Sequence, residues 1–68
     1  MELSARNQWS GTVKSVKLGT VMAEVVVDVN GNEVVAEITV GSVERLNLAA
    51  GEQVIVVVKS TEVMIGRE

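Results

Sequence analysis

Apolar and polar residues alternate along most of this chain with a period of two. In Val21-Met22-Ala23-Glu24-Val25-Val26-Val27-Asp28-Val29 every odd position is apolar, while Glu24 and Asp28 fall on the even face. That pattern predicts a strand with a defined core side. Asn30-Gly31 follows, two residues that tolerate the positive φ of a type I′ turn, so a hairpin is predicted there. The return strand runs from about Glu33 to Thr39, with Val34, Ala36 and Ile38 on its core face. An earlier strand is predicted from Gln8 to about Lys17. Trp9, Gly11 and Val13 share one of its faces before the apolar positions change parity to Val16 and Leu18. A β-bulge near Lys14-Ser15 accounts for the change, and Gly19 provides the turn into the next strand.

After Thr39 the period lengthens. Val40, Val43 and Leu46 are spaced as on a helix of about two turns, with Leu48 next in the series and Thr39 or Ser42 available as N-cap. Ala50-Gly51-Glu52 is a turn, and Gln53 to Lys59 forms the next strand. Val54, Val56 and Val58 lie on one of its faces and Ile55 and Val57 on the other, so both faces call for cover. A last short strand, Val63-Met64-Ile65, is expected after the polar corner Lys59-Ser60-Thr61-Glu62. The expected fold is all-β: an OB-fold-like barrel of five strands, with one short helix between the third and the fourth.

Length sharpens this picture. The 68 residues make one domain, residues 1–68, and a domain so small buries only about 60% of the surface its unfolded chain exposes. Small scaffolds gain stability from disulfides, a structural metal or oligomerisation. With no Cys and no His, oligomerisation is the expected route. A chain that is 47% hydrophobic with Trp9 as its one aromatic residue also has more aliphatic surface than a thin core hides. Met1-Glu2-Leu3-Ser4 lacks the basic start and apolar stretch of a signal peptide. The longest apolar run, Val54 to Val58, is far shorter than the roughly 20 residues of a membrane span. A soluble, cytoplasmic protein with no membrane partner is expected. The net charge of −3 opposes general nucleic-acid binding, where Lys and Arg neutralise phosphates. Anions can still be held locally, where a few cations and donors converge.

The same inventory limits the chemistry. Without His, Cys or Tyr, most general bases, the thiol nucleophile and the commonest metal ligands are missing, so binding is expected in place of catalysis. Glu24 and Asp28 are about 13 Å apart on an extended strand, which fits a solvated face better than a cation site. What remains are two polar clusters, Ser4-Ala5-Arg6-Asn7-Gln8-Trp9 near the start and Lys59-Ser60-Thr61 near the end. Taken singly, Arg6 and Lys59 are ordinary surface charges. Each is nevertheless accompanied by hydroxyls, and two cations with two or three hydroxyls and some backbone N–H groups make the donor set a tetrahedral dianion needs. Thr39 and Lys59 both lie at strand ends on the non-core face, where they could meet a partner subunit.

Ser4-Ala5-Arg6-Asn7-Gln8, the strand end Ala36-Glu37-Ile38-Thr39, Leu46-Asn47-Leu48-Ala49-Ala50-Gly51-Glu52 and the ending Val57-Val58-Lys59-Ser60-Thr61-Glu62-Val63-Met64-Ile65 together resemble the molbindins, single-domain molybdate-binding proteins of the Mop/TOBE type. The resemblance implies an OB-like barrel assembled as a hexamer, a trimer of dimers, that stores or buffers molybdate or tungstate and carries no organic cofactor. It implies that Ser4, Arg6, Lys59 and Ser60 of one subunit and Thr39 of its neighbour hold the anion through its oxygens. Backbone N–H groups of Ala5 and Ser60 would assist, and no side chain would ligate the metal directly. Two other readings compete. Single-strand nucleic-acid modules of the OB type use stacked aromatics and a basic groove, which one Trp and a charge of −3 do not provide. A structural subunit of a larger assembly, such as a detached importer domain, would show no stabilisation by metal oxyanions.

Overall fold

A computed structural model describes residues 1–68. Four strands, β1 (Asn7–Leu18), β2 (Met22–Val29), β3 (Asn32–Thr39) and β4 (Gln53–Val58), form one antiparallel sheet in the order β3-β2-β1-β4. Helix α1 (Val40–Arg45) stands between β3 and β4, and a 3₁₀ turn, Ser60–Glu62, follows β4.

The local signals act as expected. Asn30 and Gly31 have φ of 51° and 88°, the left-handed pair a type I′ turn requires, and the Gly31 N–H donates to Asp28 Oδ1 at 3.1 Å. The β1–β2 register slips between Val13 and Ser15, so Lys14 is the extra residue of the bulge. Released from the ladder, Lys14 reaches Glu33 at the start of β3 and forms an ion pair with it. That hydrogen bond and the Glu33 charge raise the Lys14 pKa above its ordinary value. Gly11 is required for a different reason: a Cβ there would lie 2.6 Å from Val27 Cγ1 and 2.8 Å from the Asp28 carbonyl oxygen.

Thr39 is the N-cap of α1, accepting from the Ser42 N–H at 3.0 Å; Ser42, the other candidate, lies inside the helix. The helix ends in a Schellman arrangement. Asn47 has φ of 52°, its N–H donates to Glu44, and the Leu48 N–H reaches back to Val43. The core forms on the predicted face: Val13, Ala23, Val25, Val27, Val29 and Val43 are buried, with Val34, Ile38, Val54 and Val56 packed against them.

Two expectations are corrected. Val63-Met64-Ile65 is not a strand, and the five-stranded barrel is an open sheet of four strands in the single chain. A strand needs a neighbouring backbone to pair with; the 3₁₀ turn sends this segment off the sheet, leaving Met64 and Ile65 90% and 91% exposed. The outer face of β4, whose apolar residues called for cover, is not covered within the chain: Ile55 and Val57 are 46% and 38% exposed. Because β3 and β4 remain edges, an apolar cleft of about 300 Å³ opens between them, lined by residues that include Val34, Ala36, Ile38, Ile55 and Val57.

Candidate oxyanion-binding site

The pairing of β1 with β4 positions the site. Asn7 lies opposite Val58, so the segment entering β1 and the segment leaving β4 meet at one end of the sheet. There Ser4, Ala5, Lys59, Ser60 and Thr61 line an open cavity of about 200 Å³. This is several times the roughly 30 Å³ share of one water, enough for a small hydrated anion. Four of the six residues expected in the site are therefore brought together by the fold of one chain.

The two walls have different origins. On one side β4 runs directly into the 3₁₀ turn, closed by the Glu62 N–H donating to the Lys59 carbonyl at 2.9 Å. Ser60 and Thr61, at the start of the turn, have no earlier carbonyl within it to bond, so their N–H groups are free for an outside acceptor. On the other side Ser4–Arg6 is irregular, and the Gln8 side-chain N–H donates to the Ala5 carbonyl at 2.5 Å.

Two expected residues are not in the cavity. Arg6 is exposed, one residue before β1 and beside the lining residue Ala5, but it does not line the wall. Thr39 is at the far end of the sheet. It pairs with Met22, next to the Leu18–Ala23 pair, and thus lies roughly 36 Å of strand path from Asn7. Within its own chain its hydroxyl is occupied, donating to Ser42 Oγ at 2.8 Å while accepting from the Ser42 N–H. Thr61, by contrast, lines the cavity although it was not among the expected ligands. Its signal was present in sequence as the third member of Lys59-Ser60-Thr61.

Chemically the cavity offers one ammonium, three hydroxyls and main-chain N–H groups, with the Arg6 guanidinium on the adjoining residue. Charge-assisted hydrogen bonds of this kind suit an oxyanion. No group of three or more His, Cys, Asp or Glu that could hold a metal cation is present.

A small antiparallel sheet with its two chain ends joined around an oxyanion-type donor set is the class of domain these features define. Residues 3–65 match the TOBE domain. The chain is 47% identical over 66 residues to molybdenum-pterin-binding protein 2 of Clostridium pasteurianum, covering 96% of this chain and 97% of that one. Its structure superposes with a TM-score of 0.94 on a molybdate-binding protein from Sporomusa ovata, at 45% identity over 98% of this chain and all of the other. It also matches the cytoplasmic molybdate-binding protein ModG with molybdate bound, with a TM-score of 0.84 and 44% identity, covering 88% of this chain and 43% of that one.

The chain belongs to the TOBE domain family. Its resemblance to the molbindins holds over nearly its whole length.

Proposed function

We propose that this protein binds molybdate, and tungstate by the same donors, at sites shared between subunits of a homo-oligomer, and that it stores or buffers the anion in the cytoplasm. The observation that carries the reading is the Asn7–Val58 pairing, which joins two polar clusters more than fifty residues apart in sequence into one cavity. Lys59, Ser60 and Ser4, with the N–H groups of Ala5 and Ser60, hold the anion from one subunit; Arg6 swings in from the cavity edge. Thr39 comes from a neighbour, because its own sheet places it at the opposite end from the cavity. Neither a metal ligand nor an organic cofactor is required.

The assembly is a hexamer built as a trimer of dimers. Support comes from the surface: Leu3, Val35, Ile55, Val57, Met64 and Ile65 are exposed apolar side chains on a chain of 68 residues, more than a small monomer leaves open without purpose. Assembly buries side chains that the single chain leaves in water.

Oxyanion binding then stabilises the folded assembly by mass action, by about 2.7 kcal/mol at a hundredfold excess over the dissociation constant. Thermal unfolding with molybdate and with sulfate at equal concentration tests the reading. Molybdate should raise the midpoint well above the effect of the smaller sulfate. Equal shifts would mean a generic anion patch, and no shift would remove the oxyanion function.

A further inference from the structure

The hydrogen bond from the Gln8 side chain to the Ala5 carbonyl is the only one that residues 1–6 make. The whole N-terminal wall of the cavity therefore hangs on one carboxamide. Gln8 is well suited to hold it. Its backbone lies in β1 opposite Val57, so the sheet fixes its position, and its side chain is half-buried. The side chain reaches back three residues to the carbonyl of the Ala5–Arg6 peptide. Because that peptide is planar and trans, fixing its carbonyl also fixes the opposite direction of the Arg6 N–H.

We propose that Gln8 is a positioning residue for the oxyanion site, acting through Ser4–Arg6 without touching the anion; this rests on the proposed function. Its donor pre-orders the wall that Ser4 and Ala5 supply. Without it, the cost of ordering those residues falls on anion binding. The side chain of Asn7, next to it in β1, makes no hydrogen bond, so the wall has no second anchor of this kind.

Gln8→Met tests this in the full-length protein, since Met keeps the length and neutrality of Gln and removes the donor. Calorimetric titration should show molybdate binding weakened about tenfold, the effect of roughly one hydrogen bond. Backbone order parameters from NMR in the anion-free protein should fall at Ala5 and Arg6 from the rigid range near ~0.85 to below about 0.6, and stay rigid along β1. A double-mutant cycle adds a readout that a merely structural role would not move. Gln8→Met should be non-additive with Ser4→Ala, which lies on the same wall, and additive with Ser60→Ala on the other.

Parent-like affinity with rigid Ala5 and Arg6 would overturn the proposal, as would equal coupling to both walls. If the parent protein itself fails to bind molybdate, the proposed function fails, while the order parameters still decide whether Gln8 holds the loop. Should Gln8→Met not fold, Gln8→Glu keeps the shape and loses the donor. Mobile Ala5 and Arg6 in that variant support the proposal, and rigid ones refute it.

Discussion

The two walls of the cavity are built from similar residues but held in different ways. Lys59-Ser60-Thr61 continues β4 without a break and is closed by backbone hydrogen bonds of a 3₁₀ turn. Ser4-Ala5, with Arg6 beside it, precedes β1 with no main-chain hydrogen bond of its own and depends on the Gln8 side chain. The C-terminal wall is thus part of the scaffold, whereas the N-terminal wall is attached to it. The Lys59 backbone is held by main-chain hydrogen bonds, the Arg6 backbone by one side chain.

The largest effects should come from the two cations. On the proposed function, Lys59→Ala and Arg6→Ala each remove one partner of a charge pair with the anion. Such truncations cost about 2–5 kcal/mol, roughly thirtyfold to several thousandfold in affinity at 1.4 kcal/mol per decade. Lys59→Ala should fall at the upper end and Arg6→Ala at the lower, because Lys59 lines the cavity whereas Arg6 stands beside it. Calorimetric titration reads both values. If both variants bind molybdate as tightly as the parent, the anion is held elsewhere; the reverse ranking would mean that Arg6 makes the closer contact with it.

Smaller effects are expected at Thr39, which caps α1 in its own chain and, on the proposed function, meets an anion bound by a neighbour. Thr39→Val should weaken binding by about 1.5–3 kcal/mol, the cost of one hydrogen bond to a charged acceptor. It should also destabilise the fold by about 0.5–2 kcal/mol through the lost N-cap. Thr39→Ser keeps the hydroxyl and should restore both. Thermal unfolding and titration of the same samples separate the two roles. A Thr39→Val protein that loses stability but binds normally would confine Thr39 to the cap.

Much of this was legible in the sequence because it is local. The odd-position apolar residues of β2 placed the core face, the parity change between Val13 and Val16 placed the bulge, and Asn30-Gly31 placed the hairpin. The site was legible as two clusters whose meeting needed only that β1 pair with β4. What a linear pattern does not contain is whether a strand-like segment has an edge to pair with. Val63-Met64-Ile65 has strand composition, yet in one chain the turn at Ser60–Glu62 carries it away from both edges. Thr39, expected to reach the site of a neighbouring subunit, is set by the β2–β3 register at the far end of its own sheet. The helix stop was readable only in retrospect, since Asn47 takes the left-handed position that Gly more often fills.

Native mass spectrometry with and without molybdate reads whether the anion is held between copies of this chain. A hexamer should take up molybdate in a fixed number per assembly, with no anion retained on any dissociated 7.2 kDa subunit. A monomer that binds one molybdate by itself would contradict this reading, because Thr39 and the exposed apolar faces would then have no part in the site.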